Sequence, residues 1–112
     1  MDGTGADLVR RYFAAFYGGD RDMVDSLLAD DFRFSSPDDP LLDKAGFFER
    51  CWPNRERLTD IDLDTVVDRG GELFVRYGAR NDKGTRFHNV ERLRTDGSRI
   101  LSAEVYYGPP SA

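Results

Sequence analysis

The chain has 112 residues, 39% of them hydrophobic, 33% charged and 12% aromatic, and a formal net charge of −5. That length fits one domain spanning 1–112, and so large an aromatic share excludes a disordered chain. The acidic balance excludes a basic stripe for phosphate backbones, so no nucleic acid partner is expected.

Cys51 is the only cysteine, so no intramolecular disulfide is expected. The apolar runs are far shorter than the roughly 20 residues of a membrane helix. Asp2, Gly3 and Thr4 open the chain without a basic segment followed by an apolar one, so no signal peptide is expected. No membrane contact and a cytoplasmic location follow as the default.

A first helix is predicted from about Gly5 to Tyr17, capped by Thr4, with Asp7 favouring its positive end. Leu8, Val9, Tyr12, Phe13 and Phe16 fall on one face at helical spacing, and Gly18-Gly19 stops the helix. Asp20 caps a shorter second helix with Met23, Val24, Leu27 and Leu28 on its apolar face. Phe32 to Ser36 reads as a short strand ended by Pro37-Asp38-Asp39-Pro40. Asp43 caps a third helix from Lys44 to about Cys51, with Leu42 and Phe47 placed as a hydrophobic staple, and Trp52-Pro53 closes it.

Four strands follow. Leu58 to Asp68 carries Ile61, Leu63, Thr65 and Val67 at period two, Gly70-Gly71 turns, and Leu73–Arg80, Thr85–Arg94 and Arg99–Tyr107 complete the set. Helices first and strands afterwards indicate an α+β fold.

Two turns predict a register. A three-residue loop, Asp82-Lys83-Gly84, places Leu73, Val75, Tyr77 and Ala79 opposite Leu93, Glu91, Asn89 and Phe87. A two-residue Asp96-Gly97 loop places Ile100, Ser102, Glu104 and Tyr106 opposite those same four residues, on the same face. That face is apolar at its edges and polar in its middle, where Asn89, Glu91 and Glu104 cannot be buried without partners. A water-containing cavity between sheet and helices resolves the conflict. The outer face then carries Val90, Leu101, Ala103, Val105 and Tyr107, which a homodimer would cover. The competing reading swaps the two faces.

Arg11-Tyr12-Phe13-Ala14-Ala15-Phe16 through Gly19-Asp20, Leu28-Ala29-Asp30-Asp31-Phe32 and Phe48-Glu49-Arg50-Cys51-Trp52-Pro53 resemble the SnoaL-like branch of the nuclear transport factor 2-like superfamily. So do Asn89-Val90-Glu91 and Asp96-Gly97 leading to Glu104-Val105-Tyr106-Tyr107-Gly108. The resemblance implies a cystatin-like conical roll: three N-terminal helices on a curved, mostly antiparallel sheet, enclosing a pocket, in a homodimer. Against the ketosteroid isomerases it implies that Tyr12 matches the oxyanion-hole tyrosine. Ser36 and Val90 stand where that branch has its two aspartates. A serine without a base cannot abstract a carbon-bound proton, so steroid isomerisation by that route is disfavoured.

The expected site therefore comprises Glu91, Glu104 and Tyr12 as catalytic candidates. Asn89, Tyr77, Tyr106, Trp52, Phe16, Phe48 and Ser36 are the substrate-binding candidates. A carboxyl between apolar walls suits acid/base work; a structural hydrogen-bond network is the alternative for the same residues. One histidine and one cysteine make no metal cluster at the usual spacing, and neither metal nor cofactor is expected. Three functions fit. The first is a cofactor-independent isomerase, cyclase or dehydratase acting on an apolar or aromatic small molecule. A non-catalytic ligand-binding module and a dimeric interaction module are the others.

Overall fold

The computed structural model describes residues 4–111; the reading of Asp2 and Gly3 at the chain start falls outside that range. Helix α1 (Gly5–Gly18) opens on a reciprocal cap. The Thr4 hydroxyl accepts the Asp7 N–H at 3.1 Å, and the Asp7 carboxylate accepts the Thr4 N–H at 3.2 Å. It ends at Gly19, whose φ of 80° is left-handed backbone that glycine adopts at little cost. Asp20 caps α2 (Arg21–Leu27), which runs directly into β1 (Leu28–Ser35).

The two-residue strand β2 (Leu42–Asp43) leads into α3 (Lys44–Arg50), capped by Asp43 through the Gly46 N–H at 2.8 Å. A 3₁₀ turn, Trp52–Arg57, follows. Strands β3 (Thr59–Asp68), β4 (Glu72–Arg80), β5 (Arg86–Thr95) and β6 (Ile100–Pro110) complete the chain. The sheet order is β2-β1-β6-β5-β4-β3, antiparallel throughout except for β1 beside β6. The sheet curls without closing, which makes the α+β conical roll expected from the sequence.

The core lies between the concave face and the helices. Val9, Val24, Leu28, Phe32, Phe47, Leu73, Leu93 and Ile100 are fully buried there. Each such side chain stabilises the fold by about 1.5–3 kcal/mol relative to exposure. Among the described residues no helix is long and apolar enough to cross a membrane.

The β4–β5 register is as expected: Leu73 opposes Leu93, Val75 opposes Glu91, Tyr77 opposes Asn89 and Ala79 opposes Phe87. Strand β3 departs from strict alternation. Register shifts on either side of Asp62–Leu63 turn Val66 toward the core and leave Val67 exposed.

Between Asn89 and Thr95 the β5–β6 register differs from expectation in two steps. The Asp96 carboxylate accepts the N–H groups of Ser98 and Arg99 at 2.9 and 2.8 Å, which widens the loop to Asp96–Arg99 and pairs Thr95 with Ile100. That step alone keeps every side chain on its expected face. Leu101 is then an extra residue in β6, because Arg94 pairs with Ser102 and Thr95 with Ile100. A one-residue bulge inverts the side chains that follow it, here as far as Tyr107, after which the register shifts again before the Phe87–Pro110 pair.

Glu104 consequently stands on the outer face, not in the cavity, where Arg92 donates to it at 3.1 Å and to Glu72 at 2.6 Å. Tyr106 is also outside and exposed, donating to Glu104 at 3.4 Å. Ala103 and Val105, expected outside, are buried in the core. Tyr107, likewise expected outside, turns to the rim of the concave side. Of the expected outer apolar set, Val90 and Leu101 remain there, half-buried.

Candidate functional site

A partly enclosed cavity of about 180 Å³ lies between α1, α3 and the sheet. Helix α1 supplies Tyr12, Phe13, Phe16 and Tyr17; β1 and α3 supply Phe34 and Phe47; β4 and β5 supply Tyr77, Asn89 and Glu91. Ser36, Asp39 and Tyr107 stand at its mouth, and Cys51 on its wall. The volume holds about six waters, or one compact organic molecule.

Glu91 reaches the cavity from β5. It sits mid-strand on the concave face with 5% of its surface exposed, and its Oε1 has no hydrogen-bond partner. Burial penalises the charged form and pushes its pKa up to about 7, with the neighbouring Tyr77 hydroxyl pulling the other way. A carboxyl with a pKa near neutrality can both take and return a proton. Burial and the nearby Glu91 charge together push Tyr12, Tyr17 and Tyr77 well above the usual phenol value. All three hydroxyls are therefore proton donors at neutral pH. The Cys51 thiol is pushed up to about 12, chiefly by burial, and stays protonated.

Asn89 is committed to structure. Its Nδ2 donates to the Tyr77 hydroxyl at 3.3 Å and its Oδ1 accepts the Gly108 N–H at 3.1 Å. A backbone N–H can only donate, which fixes which way the amide points. At the mouth, the Ser36 hydroxyl accepts the N–H groups of Asp38 and Asp39 at 3.2 and 3.1 Å. Tyr107 donates to Asp38 at 3.0 Å, and Arg50 donates to Asp39 at 2.9 Å.

The structure thus brings Glu91, Tyr12, Asn89, Tyr77, Phe16 and Ser36 together. Glu104 and Tyr106 lie on the opposite face of the sheet. Trp52 packs edge-on against Phe16 from outside the cavity, under the Arg55 guanidinium at 4.4 Å. Phe48 faces a broad open groove between α2, β1 and α3, where Arg21 lies 4.1 Å from its ring centre. Among the described residues no three His, Cys, Asp or Glu side chains gather to hold a metal ion.

Tyr17, Asp39 and Cys51 also line the cavity and are not among the expected site residues. Tyr17 follows Phe13 at four-residue helical spacing, a visible signal that the adjoining glycine pair obscured.

The model of the SnoaL-like domain matches residues 9–103. The chain belongs to the SnoaL-like domain family. No functionally curated protein matches it in sequence. Solved structures share this SnoaL-like fold at low identity. A protein from Kribbella flavida DSM 17836 is 18% identical, with a TM-score of 0.81 over 90% of this chain and 84% of that one. A protein of ketosteroid isomerase-like fold from Catenulispora acidiphila DSM 44928, solved with trimethylamine, is 17% identical, with a TM-score of 0.71 over 89% and 84%. IdmH of Streptomyces antibioticus, named as a candidate polyketide cyclase, is 19% identical, with a TM-score of 0.77 over 92% and 91%. At these identities the likeness concerns the fold.

Proposed function

We propose that the chain is a cofactor-independent small-molecule enzyme of the SnoaL-like type, with Glu91 as its acid/base group. The observation that carries the reading is the buried Glu91 carboxyl, its Oε1 unpartnered at the floor of an aromatic cavity. In its ionised form Glu91 takes a proton from a carbon that lies between a carbonyl and a C=C. The electron pair moves onto the carbonyl oxygen as a dienolate; when the C=O re-forms, the C=C shifts into conjugation and Glu91 returns the proton to its far carbon, giving an isomer. Tyr12 and Tyr77, both protonated, are the available donors to the enolate oxygen. Asn89 holds Tyr77 in position. The naming of IdmH as a candidate cyclase is in keeping with chemistry of this kind. The cavity of about 180 Å³ favours a compact substrate.

A second reading is a non-catalytic module that binds a small ligand in the same cavity. It is favoured by the Catenulispora acidiphila relative, which was solved with trimethylamine. In either reading the chain works in the cytoplasm and pairs with a second copy through the outer sheet face. Val90, Leu101 and Tyr106 lie on that face among ion pairs. Sedimentation at micromolar concentration tests the pairing; a monomer there would remove it.

The deciding experiment is a thermal-shift screen of a metabolite library, with product analysis of every hit. For an enzyme, Glu91→Gln should keep the fold and lower turnover about 10²–10⁴-fold. Stabilisation without product selects the binding module. Product formation undiminished by Glu91→Gln would remove the acid/base assignment.

A further inference from the structure

Two carboxyl groups line the cavity, Glu91 at its floor and Asp39 at its mouth. Among the described residues no lysine, arginine or histidine lines it. Arg50 reaches Asp39 from α3, but it is largely exposed and is not part of the wall. Much of the remaining wall is aromatic, with Tyr12, Phe13, Phe16, Tyr17, Phe34 and Phe47 presenting rings to the space. Ring faces carry negative charge density and attract cations.

This lining discriminates between ligand charges. An anionic headgroup would face Glu91 with no counter-charge beside it. A neutral apolar molecule would fill the volume but leave Oε1 of Glu91 without a donor, which a buried acceptor tolerates poorly. An ammonium group supplies the missing N–H, the opposite charge for Glu91 and a cation for the rings.

We propose that the cavity takes a compact protonated amine, its N–H groups on Oε1 of Glu91 and its alkyl groups against the aromatic wall. The proposal rests on Glu91 being the working group of the site and adds the chemical class of what it meets. Pairing holds Glu91 in its ionised form, the state that accepts a proton. The cavity's volume limits the amine to roughly the bulk of six waters.

Three probes with one alkyl body and different headgroups test it: tert-butylammonium, tert-butanol and pivalate. Each is titrated into the full chain at neutral pH by calorimetry, and the tert-butyl proton resonance is followed in parallel. The ammonium is expected to saturate a single site and to show an upfield ring-current shift. Tert-butanol should bind at least about tenfold more weakly, and pivalate should not compete. Glu91→Gln keeps the side-chain shape; it should weaken the ammonium at least about tenfold and abolish its advantage over tert-butanol.

Equal or tighter binding of tert-butanol overturns the amine class, as does binding of pivalate. An ammonium affinity indifferent to Glu91→Gln, or the absence of a ring-current shift, does the same. Failure of the amine class is separable from failure of the site. Tert-butanol binding that depends on Glu91 would remove the amine but leave Glu91 as the working group. Failure of all three probes, together with turnover undiminished by Glu91→Gln, would remove both.

Discussion

Asn89 on β5 accepts the Gly108 N–H of β6 through its side-chain Oδ1 at 3.1 Å, where β6 makes its second bulge, between the Asn89–Tyr107 and Phe87–Pro110 pairs. The same amide supports the Tyr77 hydroxyl, so one buried side chain secures both a strand irregularity and a cavity group. Asn89→Ala should cost about 1–3 kcal/mol, because it strips a buried network of both partners at once. Urea denaturation followed by circular dichroism measures this. A change below a few tenths of a kcal/mol would show that the network carries no structural weight.

Gly108 itself tolerates no side chain. A Cβ there would lie 1.9 Å from the His88 carbonyl oxygen, closer than any real contact. Gly108→Ala should therefore destabilise by more than about 2 kcal/mol or force the bulge open. The midpoint of thermal unfolding reports it, and an unshifted midpoint would contradict the close approach.

Glu91 makes stability depend on pH. Its pKa is raised on folding from 4.5 to about 7, so the folded state holds a proton that the unfolded state has released between those values. Stability should be highest below about pH 4.5 as far as this group is concerned, and should fall as pH rises through 7. The full loss is about 3 kcal/mol. Glu91→Gln removes the penalty, so this variant should exceed the wild type in stability at pH 8 and approach it at pH 5. Parallel stability–pH curves for the two proteins would be inconsistent with the shift.

Tyr107 ties β6 to the mouth loop through Asp38. Tyr107→Phe should change global stability by less than about 1 kcal/mol, since the bond is exposed. Hydrogen exchange at residues 37–41 should accelerate as the loop loses its tether. Unchanged exchange there would mean the loop is held by Ser36 and Arg50 alone.

Glu104→Gln is the informative contrast to Glu91→Gln. Glu104 lies on the far side of the sheet in a ladder with Arg92 and Glu72, so ligand binding and turnover should match the wild type. A loss of either in Glu104→Gln would conflict with the β6 register.

What the sequence made legible depended on which turn governed each strand. The Asp82-Lys83-Gly84 loop, with Gly84 at φ 82°, has one comfortable geometry, so β4 and β5 and hence Glu91, Asn89 and Tyr77 could be placed from it. Asp96-Gly97 admits more than one. The Asp96 side chain prefers to gather the N–H groups of Ser98 and Arg99, and no composition rule marks that choice against a two-residue hairpin. The bulge at Leu101 is harder still, because Ile100-Leu101-Ser102 reads as ordinary strand. Trp52 and Phe48 were misplaced for a related reason. Their helical phase is clear, but which side of Phe16 and Phe47 a large ring takes is settled by packing among rings that are distant in sequence.

The extra residue in β6 also bears on how this molecule can change over generations. Deleting the codon for Leu101 would straighten the strand and leave every pair beyond it as it is, with Glu104 still opposite Arg92 on the outer side. Keeping Leu101 but drawing it into the ladder opposite Arg94 is the change that swaps the two sides. Glu104 would then oppose Glu91 inside, and Val105 would oppose Val90 outside. A shift in how this one residue pairs, with no catalytic position substituted, is thus a route by which the scaffold can move between a one-carboxyl and a two-carboxyl chamber.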